Sequence, residues 1–253
     1  GAVLPHKTFS ISTSVVWQPT EISGQNSEWL MNFSADTIRA FLRLRGGWLD
    51  RVEVGGDFSF VGYEDLNFSF ARDSQSLLSA GKIESGVGDM DLYAKVSMWK
   101  SRNRRNFLSG TFRVKVPTGN KDDITGSGSM DYGVNISGTR IWQWGALHVN
   151  AGAVLPGDLK SFSEDIELSQ YFTWGVGSAV PFFRRRLVWL AQVQGNSSPF
   201  PETGIDDIDA HQVWACTGLR SFWKRFVFEA NVSGGISGAH DSIGARISAG
   251  VCW

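Results

Sequence analysis

The sequence predicts an all-β protein: a transmembrane, antiparallel, up-and-down β-barrel of about 12 strands, one domain across residues 1–253. Three observations predict it. In the closing segment, 244–253, Ala245, Ile247, Ala249, Val251 and Trp253 share one face, and Gly244, Arg246, Ser248, Gly250 and Cys252 share the other. Side chains alternate across a strand, so this is a strand with one apolar and one polar side. Segments of this kind, roughly ten residues long, recur along the whole chain between clusters of turn residues, as membrane-crossing strands do. Finally, no stretch approaches the ~20 apolar residues of a spanning helix, and without helices only a closed barrel satisfies every backbone group in lipid.

Composition agrees. The chain has 253 residues, 42% of them hydrophobic, which suits a single large β domain. A mean hydropathy of -0.13 is what strands with one polar face should give. The 29 glycines suit tight turns and bends, and the 11 tryptophans suit a membrane interface. The net charge of -1 supplies no field to recruit nucleic acid. The opening Gly-Ala-Val-Leu-Pro has neither a basic region nor a long apolar core, and reads as a mature or trimmed form. Cys216 and Cys252 fall on strands separated by one other strand, about 9–10 Å apart and beyond disulfide reach, so they read as small wall residues.

The first strand is 8–17, with Phe9, Ile11, Val15 and Trp17 opposing Ser10, Ser12 and Ser14; 19–27 reads as loop. The second ends at Arg45, with Ile38, Ala40, Leu42 and Leu44 opposing Arg39, Arg43 and Arg45. Arginines facing hydrocarbon would cost about 2–4 kcal/mol each, so the arginine face points inward. A Gly46-Gly47 turn leads to strand three, where Val52, Val54, Phe58 and Phe60 oppose Arg51, Glu53, Asp57 and Ser59. The pattern breaks over 62–85, which reads as a long loop, either capping or entering the lumen or lying on the surface, with an irregular helix over 64–78.

Strand four, 89–99, sets Met90, Leu92, Ala94, Val96 and Met98 against Asp89, Asp91, Tyr93, Lys95 and Ser97; the turn 100–106 is basic. Strand five sets Leu108, Phe112, Val114 and Val116 against Ser109, Thr111, Arg113 and Lys115, and 117–129 is a Gly- and Asp-rich loop. Strand six sets Met130, Tyr132, Val134 and Ile136 against Asp131, Asn135, Ser137 and Thr139. After the tight turn 142–145, strand seven sets Leu147, Val149, Ala151 and Ala153 against His148, Asn150 and Gly152. A long loop, 156–167, precedes strand eight, 170–180, and 181–186 is short and basic. Strand nine sets Trp189, Ala191 and Val193 against Gln192, Gln194 and Asn196, before an acidic loop, 197–209. Strand ten is 211–220, followed by a short turn, 221–225; strand eleven sets Phe226, Phe228, Ala230 and Val232 against Val227, Glu229, Asn231 and Ser233, and 234–242 leads to the closing strand.

Connections thus alternate between long and short, as in outer-membrane barrels with short periplasmic turns, long extracellular loops and both termini periplasmic. The short turns gather Trp48, Trp99, Trp142, Trp144, Phe182, Phe183 and Trp223, with Trp253 beside them, as an interfacial girdle. They are also basic, from Arg45 and Lys100 to Arg184, Arg185, Arg186 and Arg225, whereas the long loops carry Glu64, Asp65, Asp122, Asp123, Glu164, Asp165, Asp206 and Asp207. The basic rim would meet anionic lipid or an acidic periplasmic partner, or simply fix depth in the membrane. The acidic loops would share divalent cations with lipopolysaccharide; their spacing defines no metal site.

Several segments carry a family resemblance. They are Gly86-Val87-Gly88-Asp89-Met90-Asp91-Leu92-Tyr93-Ala94-Lys95, Val114-Lys115-Val116-Pro117-Thr118-Gly119, Thr125-Gly126-Ser127-Gly128 and 191–199. Together they resemble a family of bacterial outer-membrane β-barrels known as a domain of unknown function. More distantly, the Gly-Asp strand start and Pro-Thr-Gly loop are similar to barrels linked with degradation of aromatic compounds by the phenol meta-pathway. The resemblance implies a barrel, and for the distant group passage of small organic molecules. The stretch after Phe60 lacks the His expected of the family. The closing strand, ending on Trp253, resembles the signal by which such barrels engage the barrel-assembly machinery.

Arg39, Arg43, Arg51, Glu53, Asp57, Asp89, Asp91, Lys95, Arg113, Lys115, Asp131, Glu229 and Arg246 are the expected pore-lining charges. A 12-strand barrel is about 22–24 Å across its backbone, so long side chains take up half the bore. The expectation is a narrow lumen of mixed charge for passive diffusion of small solutes. With no single-sign ring, strong ion selectivity is not predicted. The alternative is an interior closed by salt bridges, in a barrel that anchors or scaffolds a periplasmic or surface assembly. An outer-membrane phospholipase using Ser197 and His211 is a third reading, but no orienting residue completes the set. No motif calls for a cofactor.

Overall fold

The computed structural model describes residues 3–25, 29–72, 75–80, 85–121, 123, 125–158, 167–183, 186–200, 209–237 and 243–253, and within these the side chains outside 20–35 and 63–80. The strands are β1 (Phe9–Gln25), β2 (Trp29–Leu49), β3 (Val52–Arg72), β4 (Gln75–Ala80), β5 (Gly86–Val87), β6 (Met90–Lys100), β7 (Asn106–Val116), β8 (Asp131–Ile141), β9 (Ala146–Leu155), β10 (Tyr171–Phe182), β11 (Leu187–Asn196), β12 (Gln212–Trp223), β13 (Phe226–Ser237) and β14 (Ile243–Cys252). Twelve of them pair antiparallel, each with the next, while β4 and β5 flank β3. The ring closes where β14 meets β1, from Ser10 opposite Cys252 to Trp17 opposite Ala245. Closure leaves no edge in the belt, so every backbone group there finds its partner between strands.

The molecule is apolar outside. Phe9, Val15, Phe58, Phe112, Val134, Ile136, Val176, Phe228 and Ile247 are exposed large hydrophobics on the outer face. Among the described residues the one buried hydrophobic is Val61, on the inner face. This inversion of a water-soluble protein is what a bilayer imposes when hydrocarbon is the outer solvent.

Three expectations fail in the first three strands. β2 and β3 go on pairing through Gly46 and Gly47, and the chain reverses at Asp50 and Arg51 instead. In its described residues, 62–72, 75–80 and 85, the region 62–85 is neither a plain loop nor helical over 64–78; 73–74 and 81–84 lie outside the described residues. β3 runs on to Arg72 against the far half of β2, and β4 folds back onto it. Residues 19–25 likewise extend β1, pairing with β2 as far as Gln25 opposite Leu30. At about 3.4 Å per residue, the 21-residue β2 and β3 reach about 70 Å, against 35–40 Å for strands of 10–12 residues. A β-sheet therefore stands roughly 30 Å proud of the barrel at its long-loop end. The register shift between Ser34 and Asp36 resets the parity of the alternation, which in β2 puts apolar residues at even positions from Ile38 to Leu44 and at odd positions from Trp29 to Ala35.

The two chain ends meet at the opposite, short-turn end. Phe9 and Trp253 exchange backbone hydrogen bonds of 2.8 and 3.0 Å, and the Lys7 N–H donates to the Gly47 carbonyl at 3.0 Å. Among the described residues four non-glycines take positive φ: Lys7 (59°), Arg104 (53°), Phe183 (44°) and Lys224 (54°). All four sit at this rim, where tight reversals need a left-handed residue.

Candidate transport lumen

The pairing register decides which side chains reach the lumen. Ser10, Ser12 and Ser14 on β1 lie opposite Arg45, Arg43 and Phe41 on β2, and all face inward. Glu53, Asp57 and Ser59 follow on β3, Asp91, Tyr93 and Lys95 on β6, and Arg113 and Lys115 on β7. Arg39, Asp131, Glu229 and Arg246 share this inward parity, as does Arg220, which sequence reasoning missed although it lies two residues beyond Gly218 on the same face. Asp89 stands at the foot of β6, and Arg51 lies in the turn at the short-turn rim rather than on a strand.

Most of these charges neutralise one another across the wall. Arg43 and Asp57, directly opposed, form a two-pronged pair with Nε and Nη2 each 2.6 Å from a carboxylate oxygen. Arg113 reaches diagonally to Asp91, Nε to Oδ1 at 2.8 Å. Arg220 meets Glu229 at 2.6 Å, and the second oxygen of Glu229 accepts from Asn231 at 2.8 Å. Lys115 lies 2.7 Å from Asp131 and 3.7 Å from Asp89, and donates to Ser127 at 2.6 Å. The arginines are 39–59% exposed to lumen water, so each pair contributes at most about 1 kcal/mol of stability. Their effect is geometric: a bidentate pair pins a long side chain flat against the wall.

Tyr93 lies flat in the same way. A Cβ on Gly55, its cross-strand partner, would come within 2.6 Å of the phenol ring, so only glycine lets the ring lie there. The Tyr93 hydroxyl donates to Glu53 at 2.9 Å, and the second Glu53 oxygen accepts the Leu4 N–H at 2.8 Å. This contact brings the segment before β1 to the inner wall. Around it is a cavity of about 450 Å³ whose lining includes Leu4, Ser10, Arg43, Arg45, Arg220, Glu229 and Arg246. A second, of about 100 Å³, lies among Asp91, Arg113, Lys115, Asp131 and Tyr171 toward the long loops. From β9 to β12 the inner face is nearly uncharged, carrying Asn150, Thr173, Gln192 and Gln194 beside glycines, with Arg220 at its turn end.

Three of the four segments that carry the family resemblance, 86–95, 114–119 and 125–128, converge on Asp89. Its Oδ1 accepts the Gly119 N–H at 3.1 Å, and its Oδ2 accepts the Ser127 N–H at 2.9 Å and hydroxyl at 3.0 Å. The Thr118 hydroxyl donates to the Gly88 carbonyl at 2.9 Å. Gly119 and Gly126 approach so closely that a Cβ on Gly119 would lie 2.6 Å from the Gly126 Cα. The loop following β7 is thus laced to the start of β6.

Ser197 and His211 make no lipase-like pair. The Ser197 hydroxyl accepts the Phe172 N–H at 3.0 Å, closing the end of β10, and no hydrogen bond joins it to His211 among the described residues. His148 faces the lumen with Nδ1 2.9 Å from the Thr139 hydroxyl. At the short-turn rim, Trp142 and Trp144 stack at 5.3 Å, Phe182 and Phe183 pack at 5.4 Å, and Arg140 lies 5.1 Å over Trp142. Trp48, Trp99, Trp223 and Trp253 are exposed there, and Phe183 is 73% exposed.

No family model matches the chain, and no curated protein does. Solved structures do match. An outer-membrane channel from Pseudomonas putida F1 superposes with a TM-score of 0.74 at 13% identity, covering 100% of this chain and 97% of that one. The fold is that of a bacterial outer-membrane β-barrel. The KdgM porin, in complex with disordered oligogalacturonate, follows with a TM-score of 0.55 at 8% identity, covering 96% and 98%. The toluene transporter TodX of P. putida gives 0.54 at 10%, covering 99% and 91%. Proteins with different cargoes share this barrel, so its cargo has to be argued from its own lumen.

Proposed function

We propose that the protein is an outer-membrane channel passing small hydrophilic solutes passively, with the short turns and both chain ends in the periplasm and the tall β1–β3 sheet outside. The carrying observation is the wall of paired charges bordering a cavity of about 450 Å³. Paired charges alone would also suit an interior closed by salt bridges; the cavity beside them, with room for a small solute, favours the channel. The charges of Arg43, Arg45, Arg220, Glu229 and Arg246 in a lining shared with Leu4, Phe222, Val227 and Val251 favour hydrophilic cargo over the aromatic compounds of the distant resemblance. In this orientation the acidic long loops face lipopolysaccharide, the basic turns face anionic lipid or an acidic periplasmic partner, and β14 is the strand offered to the barrel-assembly machinery.

A closed, anchoring barrel is the second reading, favoured by the Leu4–Glu53 contact inside the short-turn mouth. Planar bilayers separate the two. Stepwise conductance on insertion of the purified protein is expected of the channel; insertion confirmed by protease protection with no conductance would reject it.

A further inference from the structure

Among the described residues the inner face carries eight cations and six carboxylates: Arg39, Arg43, Arg45, Lys95, Arg113, Lys115, Arg220 and Arg246 against Glu53, Asp57, Asp89, Asp91, Asp131 and Glu229. The excess is not spread evenly. Around the short-turn cavity, Arg43 is held by Asp57 and Arg220 by Glu229, whose two oxygens are both taken. Arg45 and Arg246 line the same cavity with serine hydroxyls as their hydrogen-bond partners, Ser10 at 3.2 Å for Arg45 and Ser14 at 3.3 Å for Arg246, and Arg246 also feels the charge of Glu229, which is already bound to Arg220 and Asn231. Among the described residues no carboxylate pairs with either, and the Nε of each is buried with no hydrogen-bond partner. A serine hydroxyl cannot balance a guanidinium charge.

We propose that Arg45 and Arg246 form a two-step binding path for small oxyanions, of the carboxylate or phosphate class, and that this path makes the lumen anion-selective. The two anchoring serines are four residues apart on β1, about 13 Å along the strand, so the guanidiniums stand at successive depths rather than around one point. An anion held at one sees the other ahead, and two weak stations favour passage over trapping. Each guanidinium offers a planar fork of donors matched to a carboxylate or phosphate edge. The selectivity half of the proposal rests on the channel reading; the binding half does not.

The test uses the full chain in three forms: unaltered, Arg45→Gln/Arg246→Gln, and Arg45→Lys/Arg246→Lys, each checked for folding by heat-modifiable gel migration. Reversal potentials across a potassium acetate or potassium chloride gradient should give an anion-to-cation permeability ratio of roughly three, falling to about one in the Gln form and kept in the Lys form. Conductance without anion preference, or a preference unchanged in the Gln form, overturns the proposal and leaves the channel reading standing. Should no form conduct, the channel reading fails, and the site is judged by unfolding temperature in phosphate against chloride at matched ionic strength. An upward shift in the unaltered chain, absent from the Gln form, supports the oxyanion site; equal temperatures overturn it.

Discussion

Replacing Asp89 with Ala should release the loop after β7 without opening the barrel. The carboxylate accepts three hydrogen bonds, from the Gly119 N–H, the Ser127 N–H and the Ser127 hydroxyl, and lies 3.7 Å from Lys115. Hydrogen bonds to a charged group are worth about 1.5–3 kcal/mol each, but water from the lumen can re-solvate part of what is exposed. A net local loss of about 2–4 kcal/mol follows. At about 1.4 kcal/mol per decade, that multiplies local opening by roughly 30- to 1,000-fold. Amide hydrogen exchange at Gly119 and Ser127 should accelerate accordingly, while amides in the middle of β8 and β9 keep their protection. Asp89→Asn keeps an acceptor oxygen and loses the charge, so its effect should be intermediate. Unchanged exchange at Gly119 and Ser127 in the Ala form would refute the lacing; a uniform loss of protection around the barrel would show Asp89 supporting the wall instead.

Three more perturbations probe the wall and the rim. Arg104→Gly and Lys224→Gly remove side chains from backbone held at φ of 53° and 54°, and each should raise stability by about 1 kcal/mol in urea unfolding followed by tryptophan fluorescence; destabilisation would mean those side chains hold the rim. Gly55→Ala puts a Cβ 2.6 Å from the Tyr93 ring and should swing the phenol into the bore, lowering conductance and costing about 1–3 kcal/mol. Ile136→Arg, on the outer face at 55% exposure, should cost about 2–4 kcal/mol or block insertion, whereas Asn135→Arg, facing the lumen, should insert normally. Equal outcomes for that last pair would contradict the inside–outside assignment.

What the sequence made legible follows the solvent. Where a strand crosses hydrocarbon, every second residue is forced to be apolar, so Phe226, Phe228, Ala230 and Val232 disclose β13 with no further information. The same rule drives Arg43 and Glu229 inward. The far halves of β2 and β3 still alternate in sequence, Met31, Phe33 and Ala35 against Asn32 and Ser34, and Leu66, Phe68 and Phe70 against Asn67 and Ser69. The register shift between Ser34 and Asp36 breaks the phase, so a reading that carries one phase along the chain stops there although the pairing continues. Gly46-Gly47 misled for a different reason. Two glycines resemble a turn, but here Gly47 is needed within β2, near its end, where a Cβ would overlap the Pro5 carbonyl of the segment entering the mouth. A contact between residues some forty positions apart is invisible to local reading.

The lumen was legible as a set of residue types and illegible as a field. Counting inward charges gives near balance, from which weak selectivity follows. Selectivity, however, depends on which charges remain after pairing, and pairing is set by register. Arg43 opposite Asp57 and Arg220 opposite Glu229 cancel because antiparallel pairing brings them face to face. Arg45 opposite Ser10, and Arg246 opposite Val16 with its head near Ser14, do not cancel. Sliding β2 along β1 by two residues would keep every side chain on its face and leave composition and periodicity untouched, yet would bring Arg43 rather than Arg45 opposite Ser10. A barrel's outer surface can therefore be inferred from each strand alone. The electrostatics of its bore belong to pairs of strands, and emerge only when the ring is closed.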